Sequence, residues 1–266
     1  MDLALADRAC LVTGATAGIG LATARGLARE GARVAIVARD PERLAQAREL
    51  LQDDGSPAVV AVEADLGRAG EPERAVSAAA EAFDGLDVLV NNVGIVRAGA
   101  WDTLPDADWD ASWQINVMSF VRATRAALPH LRRSDQARVV NVSSSGGKRP
   151  SQAMPDYTVT KSAVLSFSRL IAELHAGEGI LVNAVCPGPT RTPMWLGEGR
   201  LMDQTAARAG VSREDTLARI EGARPLGRMA EPEEIADVIV LLCSARASFV
   251  TGAAWSVDGG AVSIII

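Results

Sequence analysis

Tyrosine is almost absent from this chain of 266 residues: there is one, Tyr157. Lysine is nearly as scarce, with Lys148 and Lys161 set against twenty-five arginines. Aromatic residues make up only 4%, so a core must be built mainly from Ala, Val, Leu and Ile. The three cysteines, Cys10, Cys186 and Cys243, are isolated within apolar runs, which excludes a disulfide framework and suits a reducing compartment. His130 and His175 stand alone without ligand spacing, so no metal site is expected. Long apolar runs are missing too. "ACLVTG" and "IADVIVLLCSA" are too short or interrupted to cross a bilayer, and "MDLALADRA" has no leader character. A net charge of −6 argues against a nucleic-acid partner. The expectation is a cytoplasmic protein without membrane or nucleic-acid partners.

What is present is alternation. "RACLVT", "RVAIVA", "AVVAVEA", "LDVLVN", "ARVVNVS", "ILVNAVC" and "AAWSVDG" read as strands, most of them nearly continuously apolar, as strands covered on both faces should be. Helical segments separate them. "AGIGLATARGLAREG" ends at Gly31, and "DPERLAQARELLQDDG" opens with Asp40 as N-cap and Pro41 in its first turn. "DADWDASWQINVMSFVRATRAALPHL" reads as one long helix, and "EPEEIADVIVLLCS" as the last. This order predicts an α/β fold with a parallel sheet, right-handed crossovers and helices on both faces. Ligands then bind beyond the carboxyl ends of the strands.

The first strand ends in "TGATAGIG", with Gly14, Gly18 and Gly20. Glycines there permit a tight turn and close approach of an anion to the next helix's N-terminus. "PDYTVTK" sets Tyr157 and Lys161 four residues apart, on one face of a helix. A phenol titrates near ~10, and a neighbouring ammonium stabilises its ionised form. The pair therefore suits a phenol and an ammonium acting together, with the rest of the chain deciding on what.

Together "TGATAGIG", "NNVG" (91–94), "YTVTK" and "CPGPTRT" resemble the short-chain dehydrogenase/reductase family, in its order and spacing, from Arg8 to about Ala261. The resemblance implies a single Rossmann-type domain over 1–266 with about seven parallel strands, assembled as a homotetramer or homodimer. It implies hydride transfer between NAD(P) and a carbonyl or secondary alcohol, with Tyr157 as general acid/base. The catalytic serine lies thirteen residues before the tyrosine, which is Ser144; Ser143 is the runner-up and Ser145 a pocket residue. Asn116 and Lys161 complete the implied tetrad, Asn116 holding a water that connects Lys161 to solvent.

Other positions carry over by motif. Gly14, Thr16, Gly18, Ile19 and Gly20 form the phosphate turn. Asp65 and Leu66 meet the adenine, and Asn91 and Gly94 lie by its ribose. Tyr157 and Lys161 adjoin the nicotinamide ribose, and Pro187, Gly188, Thr190 and Thr192 the carboxamide. Asn183 and Asp258 match structural positions. The family's acidic residue after the second strand is replaced by Ala38, and Arg39 follows, whose planar fork suits a 2′-phosphate. NADP(H) is thus the expected cofactor, with NAD(H) the alternative, since Asp40 could reach the ribose instead of capping its helix.

Residues 190–225 form a lid in this resemblance. Met194, Trp195, Leu201 and Met202 either face substrate or pack the lid on its own subunit, while Gly146 and Met154 flank the pocket opposite. Lys148, Arg149 and Arg191 stand near the mouth, where a carrier protein or coenzyme A would meet basic groups. A 3-oxoacyl or ketone reductase is the expectation; a dinucleotide-binding sensor or scaffold without turnover is the alternative. The final isoleucines of "GGAVSIII" are expected in a subunit contact or against the sheet.

Overall fold

Strands buried on both faces need helices on both sides, and the computed structural model, which describes residues 2–263, has that arrangement. Its strands are β1 (Ala9–Thr13), β2 (Arg33–Ala38), β3 (Val59–Glu63), β4 (Val88–Asn91), β5 (Arg138–Val142), β6 (Leu181–Pro187) and β7 (Ala254–Val257). They form one seven-stranded parallel sheet in the order β3-β2-β1-β4-β5-β6-β7. The order reverses between β1 and β4, which opens a crevice at their carboxyl ends.

Alternate side chains of each strand feed two separate cores. Cys10, Val12, Val34, Ile36, Val88 and Val90 point to the side covered by α1 (Gly18–Arg29), α2 (Pro41–Asp53) and α11 (Pro232–Cys243). Leu11, Ala35, Val37 and Leu89 point to the other side, under α3 (Glu71–Phe83), α5 (Ser119–Leu131) and α7 (Pro155–His175). Aliphatic side chains dominate both cores, as the shortage of aromatics requires.

Asp40 caps α2 as its position before Pro41 predicts, accepting from the backbone N–H groups of Glu42 and Arg43 at 3.1 Å each. The long helix expected before β5 is not uniform. It runs as α4 (Asp106–Trp113), a π-helical turn over Gln114–Met118, and then α5. Ser119 N–H bonds back to the Gln114 carbonyl, five residues away, and Asn116 lies in the middle of this turn. Apolar periodicity cannot register one extra residue in a turn, and such bulges concentrate at functional sites.

Serine at the end of β5 begins α6 (Ser145–Lys148), a single turn absent from the sequence reading. Residues 190–225, expected as a lid, contain α8 (Pro193–Leu196), α9 (Leu201–Ala209) and α10 (Arg213–Gly222). Among the described residues no helix is long and apolar enough to cross a membrane. The expectation for Ile264–Ile266 falls outside the described residues.

Candidate active site

The glycine turn after β1 is fixed by contacts that leave no room for side chains. Gly14 and Gly18 have φ of +65° and +53°, a conformation costly for any residue with a Cβ. A Cβ on Gly20 would stand 2.3 Å from the Gly14 carbonyl oxygen and 2.4 Å from Asn92 Nδ2. Asn92 ties the turn to β4, donating from Nδ2 to the carbonyls of Thr13 (2.9 Å) and Gly14 (3.1 Å). Thr13 Oγ1 accepts in return from the backbone of Asn92 and Val93. Helix α1 begins there with Ala17 as an N-cap that offers no side-chain acceptor. Its first N–H groups, beside Thr16 and Ile19, are free for an anion. Thr192 closes over the turn, its Cγ2 at 2.9 Å from where a Gly18 Cβ would lie.

Arg39 is exposed at the end of β2, and no ion pair among the described residues includes it. Asp40 is committed to capping α2 and to Arg43 at 3.4 Å, so it is not turned toward the crevice. Asp65 is partly exposed and holds Gly67 N–H at 3.2 Å. Two expected cofactor residues sit otherwise. The Leu66 side chain belongs to the core beside α3. The Asn91 side chain is buried, donating to Asn141 Oδ1 (2.8 Å) and Thr124 Oγ1 (3.1 Å). Neither side chain reaches the crevice, so any contact falls to their main chain. Gly94 does border the site: a Cβ there would lie 3.2 Å from Asn116 Oδ1 and 3.6 Å from Lys161 Nζ.

Ser143, Ser144 and Tyr157 converge at the end of β5, and Lys161 lies beneath them. Ser143 Oγ donates to the Lys161 carbonyl at 2.8 Å, a structural bond that removes it from the chemistry. Ser144 Oγ accepts from Gly146 N–H at 3.0 Å as the N-cap of α6. Burial raises the Tyr157 phenol above its ordinary value, opposed by a hydrogen bond with Ser144. Lys161 is buried, and desolvation lowers its ammonium to about 7. Its Nζ donates to the Val142 carbonyl at 2.8 Å and lies 5.1 Å from the Phe120 ring and 5.8 Å from the Tyr157 ring.

Asn116 is fully buried and acts as a brace. Its Oδ1 accepts from Ile95 N–H at 2.8 Å, and its Nδ2 donates to the Ile95 carbonyl at 3.0 Å and to Thr160 Oγ1 at 3.1 Å. The structure thus brings together Asn116, Ser144, Tyr157 and Lys161, with Gly94 as the contact between Asn116 and Lys161.

Beyond β6 the assignments divide. Gly188 lies so close to Asp258 that a Cβ would meet its backbone at 2.9 Å. Thr190 is buried and donates to the Gly188 carbonyl at 3.0 Å, which shapes the loop after Pro187. Asn183 is structural, bonding the backbone of Val250 and Ala253. Leu201 and Met202, in the first turn of α9, are buried, so these two pack the segment onto its own chain. Met194 remains exposed, and Trp195 and Met154 are half-buried. Gly146 is explained by packing, since a Cβ would meet Thr158 Cγ2 at 2.9 Å.

Two of the three basic residues expected at the mouth are occupied. Lys148 Nζ donates to the Ala254 carbonyl (2.6 Å) and Ser256 Oγ (2.9 Å). Arg191 pairs with Glu221 at 2.6 Å and Glu231 at 3.4 Å. Arg149 alone is exposed and outside the ion pairs found among the described residues. Asn92, the second member of "NNVG", is not among the expected site residues, although an amide beside a glycine turn is a usable signal.

Comparison with known proteins decides the family. A family model described as enoyl-(acyl carrier protein) reductase matches residues 14–262. The chain belongs to the short-chain dehydrogenase/reductase family. It is 34% identical over 261 residues to a 3-oxoacyl-[acyl-carrier-protein] reductase of Thermotoga maritima, covering 97% of this chain and 99% of that one. It is also 34% identical over 260 residues to a D-beta-hydroxybutyrate dehydrogenase of Cupriavidus necator, covering 97% and 99%. Its structure is similar to that of L-sorbose reductase from Gluconobacter frateurii, solved with NADPH and L-sorbose, at a TM-score of 0.93, 32% identity and full coverage of both chains. As a member of this family the chain is an NAD(P)-dependent oxidoreductase acting on carbonyl and hydroxyl groups.

Proposed function

We propose that this chain reduces a ketone or 3-oxoacyl group with NADPH, Tyr157 giving the proton to the substrate oxygen. The observation that carries the reading is the Tyr157 phenol beside Ser144, with the Lys161 ammonium buried beneath it. The cofactor supplies the hydride in reduction and accepts it in the reverse direction. The glycine turn and the open α1 terminus fit its pyrophosphate, because Gly14, Gly18 and Gly20 leave a cradle that any Cβ would fill. Arg39 fits a 2′-phosphate, and the NADPH bound by the sorbose reductase supports that choice over NADH.

Ser144 holds the substrate oxygen and, with Tyr157, orients it for protonation. A protonated phenol is the form needed for reduction, and desolvation of Tyr157 shifts it further toward that form. In the oxidising direction the phenolate is needed, and the Lys161 ammonium stabilises it. Asn116 holds Ile95 and Thr160 in place and, in this reading, the water through which Lys161 exchanges protons with solvent. Asp65, Gly94, Pro187, Gly188 and Thr192 line the rest of the cofactor crevice.

Residues 1–266 act as one dinucleotide-binding domain, with 190–225 as the lid over substrate and Met154, Met194 and Trp195 as its apolar contacts. The protein works in the cytoplasm as a homotetramer or homodimer. Exposed Val159, Leu170 and Leu174 on α7 support a subunit contact.

The test follows nicotinamide absorbance with NADPH and NADH against 3-oxoacyl thioesters, cyclic ketones and aryl ketones. Turnover with NADPH that disappears in Tyr157→Phe supports the reading. NADPH binding without turnover on any of them would favour a sensor or scaffold.

A further inference from the structure

Two buried polar bonds join the helix that carries Asn116 to the helix that carries Tyr157. One links Ser112 Oγ to Asp156 Oδ2, and the other links Asn116 Nδ2 to Thr160 Oγ1 at 3.1 Å. The donors lie four residues apart on one helix, and so do the acceptors on α7. The bonds are therefore successive rungs between neighbouring helices. All four residues are at most 1% exposed. The residues just after the α7 rungs are Tyr157 and Lys161. Thr160 Oγ1 also donates to the Tyr157 carbonyl at 2.7 Å, so the upper rung reaches the main chain of the tyrosine.

Asp156 is an expensive way to join two helices. Its side chain is fully buried, and its Oδ1 has no hydrogen-bond partner among the described residues. Burying a carboxyl group with an unsatisfied oxygen carries a desolvation cost that an apolar pair would not. In some proteins a buried polar residue of this kind is kept because it fixes register. The register at stake is that of the first turn of α7, which begins at Pro155 and contains the phenol.

We propose that Asp156, through Ser112, is a positioning residue that sets the reach of Tyr157 toward Ser144. The proposal rests on the assignment of Tyr157 as proton donor. A 1 Å displacement of such a group lowers turnover by as much as about a hundredfold, so a buried anchor next to it has a large effect available.

Because Tyr157 is the only tyrosine, NMR of protein labelled at tyrosine Cζ gives one resonance that reports its phenol directly. Wild type, Ser112→Ala, Asp156→Ala and Asp156→Asn are compared at neutral pH, without substrate. In parallel, turnover of acetoacetyl-CoA with NADPH and the Kd of NADPH are measured. Asp156→Ala and Ser112→Ala should each move or broaden the resonance and lower kcat about tenfold, with the Kd of NADPH unchanged. Asp156→Asn, which still accepts from Ser112, should keep the wild-type resonance, and the double alanine variant should be no worse than Asp156→Ala.

A folded Asp156→Ala with the wild-type resonance would overturn the proposal. So would an asparagine variant that behaves like alanine, since charge rather than position would then be the cause. If Asp156→Ala does not fold, Ser112→Ala and Asp156→Asn decide by the same criteria. Should Tyr157→Phe keep full turnover, the proton-donor assignment fails, whereas an altered resonance still shows that Asp156 places the phenol.

Discussion

The two sides of the crevice are made of different material. On the β1 side, main chain does the work: glycines with positive φ, free N–H groups of α1 and a turn held by Asn92. On the β5 side, side chains do it: Tyr157, Lys161, Ser144 and Asn116, each held by a buried hydrogen bond or a cap. Main-chain sites tolerate no added atom but need no particular functional group. Side-chain sites need specific atoms, and those atoms must be held from behind. Damage to the first side should therefore appear in cofactor binding, and damage to the second in turnover.

The largest effect separates the two sides. Tyr157→Phe removes one oxygen and should lower kcat by about three orders of magnitude, as loss of a general acid does, with unchanged Kd for NADPH. Gly20→Ala should do the converse. Its Cβ would meet the Gly14 carbonyl at 2.3 Å, and NADPH affinity should fall about a hundredfold while the fold, followed by circular dichroism, persists. Equal loss of turnover and affinity in both variants would erase the distinction.

Arg39→Asp sharpens the main-chain side. Replacing the exposed guanidinium by a carboxylate should move the NADPH-to-NADH ratio of kcat/KM by about tenfold or more toward NADH. An unchanged ratio would mean that the 2′-phosphate is read elsewhere.

Lys161 gives a pH test of the side-chain side. Its folded value, about 7, lies below the unfolded value near ~10.4. The folded chain thus binds this proton less tightly, at a stability cost fully present below about pH 7 that is relieved as pH rises toward ~10. Lys161→Met should flatten that rise in urea-unfolding free energy, by an amount on the order of a few kcal/mol. Parallel pH profiles for variant and wild type would contradict the burial of a depressed ammonium.

The smallest effect concerns the proposed lid. Gln204 on α9 accepts from Ala98 N–H at 2.9 Å, joining that segment to the loop after β4. Gln204→Ala should raise KM about threefold, the worth of one neutral hydrogen bond, without changing the Kd of NADPH.

The same difference in material explains what the sequence disclosed. Glycine spacing and the Tyr157–Lys161 pair are local signals, so the glycine turn and the pair could be read from them, as the parallel sheet could be from the alternation of strands and helices. Asp40 as a cap was also legible, because the evidence lies within three residues. The inward turn of Asn91 and Leu66 was not legible, since it depends on Thr124, Asn141 and the α3 core, all distant in sequence. Nor were the engaged states of Lys148 and Arg191, whose partners Ala254, Glu221 and Glu231 lie far along the chain. The π turn at Gln114–Met118 and the Ser112–Asp156 rung belong with these: both arise where two helices meet, and neither helix records it alone.

The most direct test of the account is a fluorescence titration of Tyr157→Phe with NADPH, run beside its turnover on the best ketone or 3-oxoacyl substrate of the wild type. The account predicts wild-type affinity and no measurable turnover. Retained turnover would contradict Tyr157 as the proton donor, and affinity lost in step with activity would contradict the division of the crevice into a main-chain side that binds and a side-chain side that reacts.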